Sequence, residues 1–179
     1  MTRVHGPALF VALLALLAIM RLVAGARSTG LADNEERARA LMGELTAASV
    51  EEVARGRPPP GLREPFLSRF PTLEERSELG SALISYADDG AYLYALAEVS
   101  GTDDAGGQPG FVLRAWPLRF GGSGDLEFQA SDDGVLWEGM NCTGRSGTES
   151  GFPPPFPDPE LGRSNAGWIP LAGAVAAHR

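Results

Sequence analysis

Four short apolar segments lie in the second half of the chain, and the loops between them restrict the fold more than any other feature. Each segment is rich in aromatic and branched residues, as strands are, and the four span 91–99, 111–120, 125–130 and 135–139. The connections "GGSG" and "SDDG" are tight turns, whereas parallel strands need a crossover of about a dozen residues or more. The chain therefore predicts an antiparallel β-meander over residues 91–140.

An amphipathic helix is predicted before the meander, over residues 28–57. Asp33 or Asn34 suits its N-cap, and Gly56 with the prolines after it ends the helical pattern. We expect its apolar stripe to face the core, and we interpret residues 58–90 as a Pro-containing linker with short helices. The stripe recurs at helical spacing and consists of Ala38, Leu41, Met42, Leu45, Ala48 and Val53.

The first predicted strand has two apolar faces, because side chains alternate along a strand. We expect one face to pack on the helix and the other to be covered by the Gly- and Pro-rich tail of residues 141–179. The tail is either an ordered wrap over the sheet or a free end, and the residues that would anchor the wrap are Phe152, Phe156 and Trp168. The expected fold class is α+β, with an N-terminal hydrophobic and amphipathic helix packed on a small antiparallel meander. The two faces are Tyr92, Tyr94 and Leu96 on one side and Leu93, Ala95 and Ala97 on the other.

The segment "GPALFVALLALLAIMRLVAGA" predicts a membrane anchor or a signal segment within residues 1–27. Its uncharged part suits the core of a signal peptide, and its extension to Ala26 reaches the roughly 20 residues that a bilayer span needs. Gly6 and Ala26 are candidate processing positions, since Ala26 closes a small-x-small pattern. The basic residues that follow the segment, such as Arg21 and Arg27, would by count alone place the C-terminal part inside, but the charged start, apolar core and small-residue exit favour export. With export, a retained anchor places the domain outside the cytoplasm at the inner membrane, and a cut segment makes it periplasmic or secreted. The residues assigned to the anchor are Pro7, Leu13, Leu17 and Met20.

The composition excludes several classes of function. The formal net charge is −8, and phosphate binding needs a basic surface, so no nucleic-acid partner is expected. The sequence contains no Lys, which excludes the phosphate-binding Walker loop and Schiff-base chemistry. His5 and His178 are the only histidines and lie near the ends of the sequence, so neither a Ser-His-Asp triad nor a His-based metal site is predicted. We therefore expect a protein that is not an enzyme, and the exclusive use of Arg as the basic residue indicates a bacterial source.

Few remaining side chains suggest a site. Cys142 is the only cysteine, so no intrachain disulfide and no Cys-based zinc site is predicted, and we expect a partly buried thiol. The paired aspartates, such as Asp88 and Asp89, lie in predicted loops, where Asp commonly forms turns. The three tryptophans either cover the sheet as core residues or form a platform for sugar or peptide, and they are Trp116, Trp137 and Trp168.

The order of these elements resembles the type IV pilins and the type II secretion pseudopilins. In "DNEERARALMGEL", an Asn-Glu pair precedes an Ala-rich stretch, which is similar to the segment where a pilin helix leaves the membrane. The segment from "AYLYALAEV" to "VLWEG" is similar to the C-terminal sheet of pilin-like proteins. The positions that carry this similarity are Tyr92, Tyr94, Ala115, Pro117, Gly122, Gly124, Phe128 and Gly134. The resemblance implies a pilin-like fold, with the membrane and other pilin-like or secretion-apparatus subunits as partners.

The same resemblance suggests calcium, because some pseudopilins hold this ion in a C-terminal loop and hard cations bind clustered carboxylates. No other cofactor is expected. The candidate ligands are Asp132, Asp133, Asp158 and Glu160.

Two positions depart from the prepilin pattern. Pro7 follows Gly6 where the family has Phe or Met, and Val11 occupies the place of a Glu that pairs with the terminal amine of a neighbouring subunit. A buried charge without its partner is costly, so Val11 argues against a major fibre subunit. We expect a non-enzymatic, pilin-like cell-envelope protein that is structural or adhesive, or a minor component of a secretion or pilus-type apparatus. The alternative is a signal-peptide-cleaved, soluble periplasmic or secreted ligand-binding protein.

Overall fold

The computed structural model describes residues 6–64, 66–99, 110–148 and 168–171, and it describes no side chains before Thr29 or at Val99. Within this part the fold is mixed α+β, with one α-helix and a larger, seven-stranded antiparallel sheet. The helix, α1, spans Gly6–Ala54. The strands are β1 (Glu74–Glu75), β2 (Ile84–Asp88), β3 (Tyr92–Val99), β4 (Gly110–Pro117), β5 (Leu126–Ser131), β6 (Leu136–Met140) and β7 (Ile169–Leu171).

The predicted meander is confirmed, because its four segments form β3 to β6 and each strand pairs antiparallel with the next. The β5–β6 turn follows its sequence signal, since Gly134 adopts a φ of 71°, a left-handed conformation that suits glycine. β1 and β2 extend the sheet on one side, within the segment interpreted as a linker, and β7 extends it on the other. Pro170 pairs opposite Trp137 in β7, a position that proline tolerates at the edge of a sheet.

α1 passes through the predicted cap without a break. Asp33 and Asn34 lie inside the helix, so the prediction that either residue caps it is wrong. The predicted C-terminal stop is close to correct, since α1 ends at Ala54 and Gly56 follows with a φ of 71°. A left-handed glycine just after a helix is a common terminator, and the prolines that follow cannot continue the helix.

The apolar stripe of α1 is buried against one face of the sheet, here called the helix face. Ala38, Met42 and Leu45 are wholly buried and share one hydrophobic cluster with side chains of β3, β4 and β5. Each large aliphatic side chain buried in this way contributes about 1.5–3 kcal/mol, so this cluster holds the second half of α1 on the sheet. The sheet residues of the cluster include Tyr92, Tyr94, Leu96, Phe111, Leu113 and Phe128.

The segment between α1 and β2 contributes to the same cluster. It contains two 3-10 helices, Phe66–Arg69 and Ser77–Leu79, in agreement with the expected short helices. The rings of Phe66 and Phe70 have centroids 5.3 Å apart. Because its apolar side chains are buried in the cluster, this segment belongs to the core as well as connecting two elements. The buried residues are Leu62, Phe66, Leu67, Phe70 and Leu73.

The opposite face of the sheet, here called the outer face, combines apolar and charged groups. Arg114 and Glu127 form a buried ion pair with 3.3 Å between Nη2 and Oε2. The Trp116 indole donates to the carbonyl of Gly147 at 3.1 Å. A Cβ on Gly139 would come within 2.9 Å of the Trp168 ring, so that ring lies directly over the strand. These described parts of the C-terminal tail therefore contact the outer face, in agreement with the expected cover, whereas the expected anchors Phe152 and Phe156 lie outside the described residues.

The predicted membrane segment lies outside the part of the chain whose side chains are described. This applies to the anchor residues Pro7, Leu13, Leu17 and Met20 and to the processing positions Gly6 and Ala26. Within the part of the chain that the structure describes, no helical stretch has the length and apolar character for a membrane span.

Candidate functional site: the helix–sheet junction

Polar side chains of α1 contact the sheet at residues 34–39. Asn34 Nδ2 donates to the carbonyl of Ser123 at 3.1 Å, and Glu35 Oε1 accepts from the backbone N–H of Asp125 at 2.8 Å. Both partners belong to the connection between β4 and β5. Side chains of α1 therefore bond directly to the backbone of this connection, which fixes the helix against it.

Asp89 joins α1 to the turn between β2 and β3. Its carboxylate accepts from Arg37 Nε at 3.1 Å and is only 1% exposed. It also accepts from the N–H groups of Ala91 (2.9 Å) and Tyr92 (2.7 Å) and from the Tyr94 hydroxyl (3.3 Å). A buried carboxylate requires such hydrogen bonds, and here they come from three parts of the fold. The interpretation of this aspartate as a turn former is confirmed, and the ion pair is an additional role.

Arg39 joins α1 to β6. Its Nε donates to Glu138 Oε2 at 2.8 Å, and its guanidinium lies 5.9 Å from the centroid of the Phe128 ring. At this distance an arginine interacts favourably with the face of an aromatic ring. The junction of α1 with the sheet therefore involves the β4–β5 connection, the β2–β3 turn and β6.

The first contacts of the junction lie at one end of the sheet. Turns alternate between the two ends of an antiparallel meander, so the β2–β3 turn, the β4–β5 connection and the residues after β6 share one end. α1 contacts this end through residues 34–37 and then crosses the helix face through Met42 and Leu45. We name this end of the sheet, which contains the β2–β3 turn, the β4–β5 connection and the residues after β6, the helix-entry end. The exposed side chains of Thr29 and Asp33 agree with a helix that extends beyond the sheet there.

Burial beside the junction changes the pKa of two tyrosine hydroxyls. It raises the pKa of Tyr92 and Tyr94 well above the usual value near 10, and the charges of Glu35 and Asp89 respectively add to the effect. Both hydroxyls thus stay protonated as donors, and Tyr92 donates to the Leu126 carbonyl at 3.2 Å.

Arg114 on the outer face shows the converse effect of burial. Burial lowers its pKa to about 10, although the neighbouring Glu127 carboxylate acts in the other direction.

The predicted calcium ligands do not lie at the junction. Asp132 and Asp133 are exposed in the β5–β6 turn, at the end opposite α1 entry. Asp133 Oδ1 accepts from Ser131 Oγ at 2.9 Å and from Val135 N at 3.0 Å, which is an arrangement typical of turns. Among the residues described, no three His, Cys, Asp or Glu side chains are grouped to hold a metal ion. Asp158 and Glu160 lie outside the described residues, so the calcium hypothesis stays a prediction.

The tryptophans cluster on the outer face, away from the junction. Trp116 is 3% exposed and belongs to a small buried cluster with Tyr86 and Leu93, so the core interpretation is confirmed for this residue. Trp137 and Trp168 are partly buried. A platform made by all three indoles is not open, because Trp116 is covered.

Cys142 differs from expectation, since it is exposed and not in a disulfide. The neighbouring Asn141 explains this position. Its side chain is buried and bonds to both the carbonyl and the N–H of Arg145, at 2.6 and 2.8 Å. Asn141 thus closes the loop after β6, which leaves the Cys142 side chain on the outside of the loop.

A cavity of about 190 Å³ lies beside β2, away from the helix-entry end. Sites for drug-sized ligands occupy about 300–1,000 Å³, so this cavity suits only a small solute. Arg63 Nη2 already donates to the Ser81 carbonyl there at 2.7 Å. The lining residues are Arg63, Glu75, Ser77, Gly80, Ser81, Ser85 and Tyr86.

Comparisons with known proteins give no match to a family model, to a curated protein or to a solved structure. The assignment of a candidate site therefore depends on the geometry of the junction. One sequence signal could have indicated it. Asn34 precedes Ala38 by four residues and Leu41 by seven, so it continues the buried stripe of α1 with a polar side chain.

Proposed function

We propose that this chain is a pilin-like cell-envelope protein in which α1 carries the sheet on the outer side of the inner membrane. The observation that carries the proposal is the course of α1, which begins at Gly6 in the apolar segment and ends at Ala54 beside the sheet. The apolar part of α1, from Gly6 to Ala26, is about 30 Å long at 1.5 Å per residue, which matches the roughly 30 Å of a bilayer core. Its role is structural or adhesive, or that of a minor component of a secretion or pilus-type apparatus.

The junction supports this proposal, since a domain that acts at a defined distance from its anchor needs a rigid joint. Asn34, Arg37 and Arg39 bond to three separate parts of the sheet. A rotation of α1 about its axis would break these bonds together, so the orientation of the helix determines the orientation of the sheet. Val11 in place of the family's Glu favours a minor or non-assembling subunit over a major fibre subunit.

Intact-mass measurement of the full chain from a bacterial host, with separate membrane and soluble fractions, tests the proposal. We expect a carbonate-resistant membrane protein that begins at Met1, or at Pro7 if a prepilin-type peptidase acts. A soluble protein that begins at Arg27 would overturn the proposal and support the cleaved ligand-binding alternative.

A pair of variants of the full chain controls for the anchor itself. Leu13→Arg with Leu17→Arg places two charges in the apolar segment, each of which costs about 2.5–3.5 kcal/mol at the centre of a span. We expect this variant to leave the membrane fraction, whereas Leu13→Ile with Leu17→Ile stays in it. Equal membrane retention of both variants contradicts an anchor at this segment.

A further inference from the structure

We propose that the helix-entry end of the sheet is a membrane-contact surface, which presents Phe120 to a zwitterionic phospholipid interface. The inference rests on the proposed function, because it requires α1 to be an anchor. Exposed side chains gather at this end in the β4–β5 connection and in the loop after β6. The exposed residues are Arg119, Phe120, Gly121, Gly122, Met140, Cys142, Thr143 and Gly144.

Phe120 is exposed although its backbone is firmly held. Phe120 is 46% exposed, and its backbone N–H donates to Ser146 Oγ at 2.7 Å. The turn closes with a bond from Gly121 N to the Gly124 carbonyl at 3.1 Å, and Gly121 adopts a φ of 67°. A fixed turn that holds an aromatic ring in the open is suited to insertion at a lipid interface, where an apolar body is buried beside polar groups. Met140, at 60% exposure, adds a second apolar side chain to the same end.

The direction of α1 places this end nearest to the bilayer. The Phe120 turn is bonded to α1 through the Ser123 carbonyl and Asn34 Nδ2. From Asn34 back to Arg27 the helix rises about 10 Å. The headgroup layer covers about 5–8 Å of that distance, and an average helix tilt of about 20° lowers one side of the sheet further. The distance that remains is no longer than a phenylalanine side chain.

The charges near this end select the lipid chemistry. Asp33, Glu36 and Arg37 are exposed on α1 beside it, with Arg37 paired to Asp89, and Arg119 is exposed on the turn. Carboxylates disfavour a strongly anionic surface, whereas a single arginine can bond to a phosphate of a zwitterionic headgroup. The surface therefore fits phosphatidylcholine or a lipid of the same charge.

Cys142 provides a reporter at this surface, because it is exposed and is the only cysteine in the sequence. The backbone N–H of the preceding residue, Asn141, donates to the Asp125 carbonyl, and this bond places Cys142 beside the β4–β5 connection. The full chain, spin-labelled at Cys142, is reconstituted in phosphatidylcholine vesicles and recovered by flotation. Accessibility to a water-soluble nickel chelate is then measured by power saturation.

The control carries the label at the other end of α1, in the variant Cys142→Ser with Ala54→Cys, since Ala54 is exposed and about 30 Å along the helix from Asn34. We expect accessibility at Cys142 to be at least about twofold lower than at the control position, because an interfacial label is shielded by headgroups. Phe120→Ser should remove most of this difference, and its unchanged melting temperature would show that the fold is intact.

The outcomes separate the two proposals. A floated protein with equal accessibility at both labels overturns the contact surface and leaves the anchor intact. Anionic vesicles in place of phosphatidylcholine should reduce the shielding, and stronger shielding there contradicts the assigned lipid chemistry. A chain that does not float overturns the proposed function and, with it, this inference.

Discussion

Arg37 and Asp89 form the ion pair that joins α1 to the β2–β3 turn, with 3.1 Å between Nε and Oδ2. The two partners have different surroundings, because the side chain of Arg37 is 46% exposed and that of Asp89 is 1% exposed. Asp89 also accepts backbone hydrogen bonds from Ala91 and Tyr92, which Arg37 does not influence directly. The carboxylate thus stabilises the turn as well as the junction.

The first prediction follows from this asymmetry. Asp89→Ala should lower the free energy of unfolding by about 3 kcal/mol, because it leaves several donors without their buried acceptor. Arg37→Ala should lower it by only about 1 kcal/mol, since half of that side chain remains in water. Chemical denaturation of the full chain in mild detergent, followed by circular dichroism, measures both changes.

The exposed ion pair of Arg55 with Glu51 supplies the control for this comparison. Glu51→Ala removes this pair alone, because Arg55 keeps its second partner Glu52, and it should change the free energy of unfolding by less than about 0.5 kcal/mol, as is usual for helix surface pairs. Equal losses from Arg37→Ala and Asp89→Ala would show that the ion pair, and not the turn, dominates the role of Asp89.

The second prediction concerns Gly124, which lies against the buried ring of Tyr92. A Cβ at Gly124 would collide with the Tyr92 hydroxyl and come within 2.7 Å of its Cζ. The ring is wholly buried and cannot move aside, so Gly124→Ala should destabilise the protein by about 1–3 kcal/mol, as overpacked cores do. Gly43→Ala has open space around the new methyl group and should raise stability by up to about 1 kcal/mol.

Thermal unfolding of the two glycine variants compares them directly. Adding Tyr92→Phe to Gly124→Ala should recover part of the lost melting temperature, because the hydroxyl makes the closest contact. A Gly124→Ala protein as stable as the natural chain would contradict the packing described at this turn.

The sequence could predict the parts of the fold that have local signals. β3 to β6 are short segments rich in aromatic and branched residues that are bounded by Gly- and Asp-containing turns or loops, and the stripe of α1 repeats at helical spacing, so each element is visible without its partners. β2 was missed because the five residues Ile84–Asp88 follow a Gly- and Ser-containing stretch. Its strand conformation depends on pairing with β3 along its whole length.

The candidate site was less predictable than the strands. Asn34 has the residue type of a cap, and only the tertiary contact with Ser123 shows that it serves as a junction residue inside a longer helix. Likewise, Arg37 and Asp89 are 52 positions apart in sequence, a separation over which no spacing rule applies. The role of Asp89 in a turn could be predicted from its neighbours in sequence, whereas its ion pair with Arg37 on α1 could not.

The third prediction concerns Ser49, a wholly buried residue of α1. Its Oγ has no hydrogen-bond partner among the described residues, and a buried hydroxyl without a partner costs about 1–3 kcal/mol. Ser49→Ala removes this group and improves helix propensity, so we expect the free energy of unfolding to rise by about 1 kcal/mol.

A second buried hydroxyl on α1 gives a matched comparison. Thr46 Oγ1 donates to the Met42 carbonyl at 2.6 Å. Thr46→Val keeps the shape of the side chain and removes this bond, so stability should fall by about 0.5–1 kcal/mol. Denaturation curves in which Ser49→Ala lowers stability, as Thr46→Val should, would contradict the assignment of Ser49 as an unsatisfied group.

The fourth prediction concerns alkaline pH and follows from the raised pKa of Tyr92 and Tyr94. In the unfolded chain these phenols ionise near pH 10, whereas in the folded chain they stay protonated. Above about pH 10 the unfolded state therefore binds fewer protons than the folded state, and the free energy of unfolding decreases as the pH rises. Each such tyrosine lowers it by about 1.4 kcal/mol per pH unit.

Tyr94→Phe should reduce this pH dependence, because it removes one of the buried phenols that must stay protonated in the folded state. The decrease in the free energy of unfolding between about pH 10.5 and 11.5 should become smaller by about 1.4 kcal/mol. Leu83→Tyr is the control, since Leu83 is 55% exposed and a phenol there ionises alike in both states. A pH dependence that is the same in Tyr94→Phe and in the natural chain would mean that folding does not raise the pKa of Tyr94. The hydrogen bond from its hydroxyl to Asp89 would then contribute little at the junction.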